Sequence, residues 1–346
     1  MKVAVIGAGS WGTAVAALAA QNVETTLWAR SEELSAAMTR DSRNNSYLPG
    51  IDLPEMTYTS DLEEACNAAD IVAIGVPSHG FRAVLESAAR SIDSGATVIS
   101  LVKGVEQGTL LRMTQIAHEV LSNHELSHDH RHDHSHDLTA IGVLTGPNLA
   151  REVAEGQPAA SVVAIPDGGR AEQVQAAFMS PTFRVYTNPD VVGCEIAGAL
   201  KNVMAIAAGV AHGLGYGDNT IAALITRGLA ELARLGIALG GSPLTFSGLA
   251  GMGDLVATCI SDKSRNRTVG VELGRGRSLE DVVNEMHMVA EGVKTTRAVL
   301  DLAALHSLEM HIAEQVGAVL YDGRRPDEIV PTLMLRGATS EMHGLG

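Results

Sequence analysis

Aromatic residues are scarce: Phe, Trp and Tyr make up 3% of the 346 residues. A core of ordinary density must then come from aliphatic and small side chains, which favours close helix–helix and helix–sheet packing. Cysteine is scarcer still, with Cys66, Cys194 and Cys259 widely separated and no CxxC pair among them. That usage argues against a disulfide or zinc framework and fits a reducing, cytoplasmic setting. Basic residues are outnumbered, 25 Lys and Arg against 40 Asp and Glu, for a formal net charge of −15. Such a surface repels phosphate backbones and anionic lipid, so neither nucleic acid nor membrane is an expected partner. No uncharged stretch reaches the roughly 20 residues that span a bilayer. The apolar start is broken by Gly7, Gly9, Ser10 and Gly12, where a signal peptide would run on unbroken.

Against these shortages stand a hydrophobic fraction of 46% and enough length for two domains. Short apolar runs at residues 2–6, 25–30, 70–76 and 96–102 read as strands. Helical patterns at 14–20, 61–69, 81–91 and 109–121 separate or follow them. Strands alternating with helices predict an α/β, Rossmann-like, doubly wound parallel sheet. Further strands are expected at 139–144, 160–165 and 183–186. Beyond Asn188 and Pro189 the strand signals stop, and Ala/Leu/Val patterns punctuated by glycine predict an all-helical region. The expected division is a dinucleotide-binding domain over residues 1–189 and a helical substrate and catalytic domain over 190–346. Residues 127–137, SHDHRHDHSHD, are out of character. Their alternating His and acid reads as a solvated insertion with adventitious affinity for Zn²⁺ or Ni²⁺. Nothing there fixes a tetrahedron of ligands, so no structural or catalytic metal site is expected.

Gly7, Gly9 and Gly12 form a GxGxxG that follows the first strand and opens a helix. The first glycine permits the tight turn, the second lets the backbone approach a pyrophosphate, and the third lets helix and strand pack closely. The helix N-terminus adds amide donors for the anion. An acidic residue is expected at the end of the second strand to hold the ribose of NAD. The chain has Arg30 and Ser31 there instead, with Glu32 and Glu33 beyond. Arg30 can pair with a 2′-phosphate, which points to NADP or to use of both NADP and NAD; the plain alternative is a surface arginine.

The order of several segments carries further meaning. VIGAGSWGTA (5–14), YLPG (47–50), GVPS (75–78), KGVE (103–106) and TGPN (145–148) occur in the first half. ALKNV (199–203), GMGDL (251–255), SRN (264–266) and EGVKT (291–295) follow in the second. Together they resemble the bacterial NAD(P)-dependent glycerol-3-phosphate dehydrogenase family, over nearly the whole chain apart from the His-rich insertion. The resemblance implies reversible oxidation of sn-glycerol 3-phosphate to dihydroxyacetone phosphate. It also implies a role in supplying phospholipid synthesis, and a homodimer.

The same resemblance implies roles for matched positions. Lys201 matches the residue that exchanges the proton at the substrate's C2 oxygen, a task suited to a partly desolvated lysine. Without the match it would read as a lysine snorkelling from an apolar helix. Lys103, at the end of a strand, matches a contact to both cofactor and substrate and would stabilise charge on that oxygen. Asp254 matches a substrate-site aspartate, with helix capping as its plain alternative. Ser264, Arg265 and Asn266, aided by Thr258, are implied substrate contacts, Arg265 also lying near the cofactor. Arginine and amides at a helix start suit a phosphate dianion. Gly146 and Asn148 are implied substrate contacts. Here the chain departs from the commoner family pattern, with Asn148 for Ser or Thr and Leu149 for Phe. Ser10, Trp11, Ala150, Val289 and Glu291 complete the implied cofactor contacts.

Overall fold

The structure, a computed structural model, describes residues 1–126, 138–286 and 290–337. The His-rich tract and Val289 lie outside the described residues. The chain divides into two compact units, residues 1–103 with 111–191, and 104–110 with 192–346.

The first unit is built on eight strands: β1 (Lys2–Ile6), β2 (Glu24–Trp28), β3 (Thr57–Thr59), β4 (Ile71–Ile74), β5 (Thr97–Ser100), β6 (Ile141–Thr145), β7 (Ala159–Ala164) and β8 (Phe183–Asn188). They lie in the order β3-β2-β1-β4-β5-β6-β7-β8. The first six reproduce the doubly wound order, which places ligands beyond the carboxyl ends of the strands where that order reverses. Alternation along β1 shows how the layers form. Val3 and Val5 pack into one cluster with Val15, Leu18, Phe178 and Phe183. Ala4 and Ile6 pack into another with Phe81, Leu85, Met113 and Ile116. A strand buried on both faces reads as an unbroken apolar run, as this one does.

The parallel expectation fails at one place: β6 and β7 are antiparallel, pairing Val143 with Ala164 and Thr145 with Val162. Their connection holds only a five-residue helix, Ala150–Ala154. A parallel return usually runs back through a helix about as long as the strands it joins, and five helical residues rise only about 7.5 Å. The chain instead turns back at Gly146, whose φ is +139°. β7 and β8 are again parallel, joined through the Gly168–Phe178 helix.

The second unit is helical among its described residues. Its long helix Val191–Gly213 is buried at every residue from Gly193 to Ala211. It and the segment from Pro243 to Ile260 are apolar and long enough to cross a membrane. A helix apolar all round and wholly buried is also how a core helix looks. Backbone contact locks it to the Arg265–Gly274 helix. A side chain at Gly209 would put its Cβ 2.2 Å from the Arg267 carbonyl oxygen, and one at Gly270 would lie 2.1 Å from that of Ile206. Gly213 and Gly274, four residues on in each helix, repeat the contact at 2.3 Å from Val271 O and 2.5 Å from Val210 O. Small residues spaced by four let two helices touch main chain to main chain.

Candidate functional site

The glycine loop follows β1 directly. A Cβ at Gly12 would sit 1.9 Å from the Gly7 carbonyl oxygen, and one at Gly7 would sit 2.7 Å from that of Gly75. Both glycines are therefore required by main-chain approach. A Cβ at Gly9 would meet nothing within 4 Å. Gly9 also caps the Ser10–Ala19 helix without a side-chain hydrogen bond, and the first turn carries no acid. Main-chain donors at a helix start beside a residue with no side chain suit a pyrophosphate, so the residues fit a dinucleotide. Asn44, fully buried, clamps the loop: its Nδ2 donates to Ala8 O and Thr13 Oγ1, each at 2.8 Å. Ser10 Oγ donates to Tyr47 O at 2.6 Å. Trp11 packs its ring 6.4 Å from Phe183.

At the end of β2, Arg30 is exposed. Ser31 Oγ accepts from Leu34 N at 3.2 Å, capping the Glu32–Asp41 helix, and donates to Glu33 Oε2 at 2.5 Å. The Ser31 hydroxyl is thus engaged within the chain, and Arg30 is the group there with charge to offer a 2′-phosphate. Beyond β5, Lys103 donates from Nζ to Gly146 O at 2.8 Å. Asn148 Nδ2 donates to Ser161 Oγ at 3.1 Å, and Ser161 donates on to Thr145 O at 2.7 Å. Ala150 opens its own short helix.

In the second unit, Lys201 lies in the middle of the buried Val191–Gly213 helix. Its Nζ donates to Asp254 Oδ1 at 2.5 Å and to Thr258 Oγ1 at 2.8 Å. Thr258 in turn donates to the Asp254 carbonyl at 2.6 Å. The Lys201 and Asp254 side chains are 8% and 2% exposed. Taking such a pair out of water costs several kcal/mol per ion before their attraction repays it. A fold gains little from that arrangement, whereas a reaction that needs a proton held in a dry place gains directly. The neighbouring Cys259 registers the same dryness, its thiol pushed up to about 12 by burial. Asp254 is delivered by a π-helical turn, Leu249–Gly253, and heads the Asp254–Ile260 helix. Its carboxylate meets the lysine, and the N-cap position of the helix falls on Gly253.

Ser264 caps the Arg265–Gly274 helix by accepting from Arg267 N at 3.3 Å. Arg265 is exposed while Ser264 and Asn266 are buried. Asn266 Oδ1 accepts from Gly292 N at 2.9 Å. Arg267 pairs with Asp262, and Glu291 opens the Glu291–Leu305 helix.

Two family models match this chain: the NAD-dependent glycerol-3-phosphate dehydrogenase N-terminus over residues 2–171 and its C-terminus over 190–331. The chain belongs to the NAD-dependent glycerol-3-phosphate dehydrogenase family. A protein from Salinibacter ruber called glycerol-3-phosphate dehydrogenase [NAD(P)+] 2 is 50% identical, covering 98% of this chain and 96% of its own. The glycerol-3-phosphate dehydrogenase [NAD(P)+] of Thermobifida fusca is 49% identical, covering 99% of each chain. Among solved structures, glycerol-3-phosphate dehydrogenase from Coxiella burnetii superposes with a TM-score of 0.86 at 35% identity, over 97% of this chain and 99% of that one. A ketopantoate reductase from Ralstonia eutropha, at 17% identity and a TM-score of 0.55, shares the fold alone.

Within this family framework, sequence reading anticipated the residues that meet around Lys201 and those around Lys103. It missed Asn44, whose burial is invisible in a polar stretch, although its neighbours Tyr47 to Gly50 carried part of the resemblance. It also missed Gly292 as the partner of Asn266.

Proposed function

We propose that the chain interconverts sn-glycerol 3-phosphate and dihydroxyacetone phosphate with NAD or NADP. The buried Lys201–Asp254–Thr258 cluster, in a chain of this family, carries the reading. When bound, the nicotinamide exchanges a hydride with the substrate's C2. The residues of the chain manage the proton and the charge. In reduction, the Lys201 ammonium donates a proton to the C2 oxygen as that oxygen gains negative charge; in oxidation, the neutral amine takes it back. Asp254 and Thr258 aim the Nζ by accepting its hydrogen bonds. Lys103, tethered to Gly146, supplies a second cation for the developing oxyanion. Ser264, Arg265 and Asn266 bind the phosphate, with Gly146 and Asn148 as further substrate contacts. Gly7, Gly9, Ser10, Trp11 and Gly12 hold the dinucleotide, with Ala150, Val289, Glu291 and Arg265 as additional contacts. Arg30 favours NADP over NAD. The setting is a cytoplasmic homodimer that supplies glycerol 3-phosphate for phospholipid synthesis.

The test mixes purified protein with dihydroxyacetone phosphate and either NADH or NADPH, and follows loss of the reduced-nicotinamide absorbance. No turnover with either cofactor refutes the reading, and the ratio of the two rates measures the weight of Arg30. Arg265→Ala should raise KM for dihydroxyacetone phosphate about ten- to hundredfold, the loss of one charge-assisted contact. Equal activity on glycerol and its phosphate would remove Arg265 from phosphate recognition.

A further inference from the structure

We infer that Gly292 is a positioning residue for substrate binding, holding the Asn266 amide in one orientation beside the main chain of Asn202. The inference rests on the reading that Asn266 meets the substrate phosphate. An asparagine amide presents an oxygen that accepts and a nitrogen that donates, in nearly the same shape. A phosphate calls for the donor. The Gly292 N–H, one of the donors left over at the start of a helix, can face only the oxygen. Its 2.9 Å bond to Asn266 Oδ1 therefore leaves Nδ2 as the group the amide presents on its other side.

The geometry also says why this residue is a glycine. A Cβ at position 292 would lie 2.7 Å from Asn266 Oδ1, 3.1 Å from Asn266 Cγ and 2.9 Å from the carbonyl oxygen of Asn202. The Asn202 carbonyl is main chain, next to Lys201, and cannot swing aside; the amide could yield only by leaving its place. Gly292 does not adopt a positive φ. Its requirement is room, in a helix where alanine would otherwise be favoured over glycine. Thr296 Oγ1 donates to the Gly292 carbonyl at 2.7 Å and anchors the same turn. The start of the Glu291–Leu305 helix thus sits against both the chain that carries Lys201 and the side chain that meets the phosphate.

Gly292→Ala tests this in the full-length protein, with kinetics at saturating NADH. KM for dihydroxyacetone phosphate should rise about ten- to hundredfold, the value of one hydrogen bond to a charged group, while kcat changes by less than about threefold. The same substitution in an Asn266→Ala background should add less than about twofold to KM, because the glycine acts through the amide. An unchanged KM in Gly292→Ala, or effects that multiply in the double variant, overturns the inference. Should the single variant fail to fold, the double variant decides, since alanine at 266 removes two of the three clashing atoms and leaves only the Asn202 carbonyl: kinetics matching Asn266→Ala support the role. If neither folds, Gly292 serves packing alone and the inference fails. An unmodified protein with no turnover would instead refute the activity itself, and this inference with it.

Discussion

The glycine loop of the first unit and the lysine cluster of the second solve opposite problems. Around Gly7, Gly9 and Gly12 the chain works by having no side chains, so that main-chain atoms come within reach of one another and of an anion. Around Lys201 the side chains carry the work, with an ammonium and a carboxylate held at 2.5 Å in a buried place. The first, the glycine loop, carries no charged side chain and has no room for a Cβ at Gly7 or Gly12. The second spends folding stability on charge and depends on its exact sign. A dinucleotide brings its own negative charge and needs a shape to lie in, whereas a ketone acquires charge only as it reacts and needs a cation already in place.

The strongest way to break this comparison is to delete charge where it matters. Lys201→Ala should lower turnover by about 10²–10⁴, and dinucleotide affinity, assigned under the proposed function to the glycine loop, should stay near its original value. The Asp254 carboxylate is then left unpaired, at a cost of about 3–5 kcal/mol, so the assay belongs below the lowered melting temperature. Stopped-flow turnover alongside NADH fluorescence titration separates the two effects. An unchanged turnover number would take Lys201 out of the chemistry.

Adding volume without charge is the reciprocal experiment. Gly12→Ala places a methyl 1.9 Å from the Gly7 carbonyl, where neither partner is a flexible side chain. The loop must open, so dinucleotide Kd should rise at least about a hundredfold, with a stability loss of about 1–3 kcal/mol. Fluorescence titration and a thermal melt read both quantities. A Kd within twofold of the original would mean that the loop does not cradle the cofactor.

The two regions also differ in how far they can be read in advance. Strand β1 and the glycine loop were legible because their cues are local: an apolar run, then three glycines at fixed spacing. β3 was not, since Thr57–Thr59 is too short to show a period. Nor was the reversed direction of β7, because direction depends on where the connection runs and not on the strand's own residues. The Glu32–Asp41 helix escaped as well, its charged sequence giving little apolar periodicity although Ser31 caps it. In the helical unit the meeting of Lys201 with Asp254 spans 53 residues, beyond any periodic signal, and only the family resemblance pointed to it. The paired glycines at 209, 213, 270 and 274 show their spacing in the sequence, but which helix meets which is a fact of tertiary structure.

A third buried charge sharpens the comparison further, because it lies apart from the proposed chemistry. Glu231, 4% exposed, accepts from Ile312 N at 2.8 Å and Ala313 N at 3.4 Å, capping the His311–Tyr321 helix. Burial pushes its carboxyl up to about 7; the two backbone donors and Arg234 oppose the rise, and Glu314 adds to it. A carboxyl whose folded pKa exceeds its unfolded value of 4.5 binds its proton more tightly when folded. Its contribution to stability is therefore greatest at low pH and is lost as pH rises through about 7. Between pH 5 and 7.5 that loss comes to about 2 kcal/mol. Glu231→Gln keeps an oxygen for the two N–H groups and removes the titration. The difference in urea-unfolding free energy between the unmodified protein and this variant should fall by that amount across the window, and turnover should not change. All other side chains are common to the two proteins, so their contributions cancel in the difference. Parallel stability curves would show that Glu231 is no more than a cap.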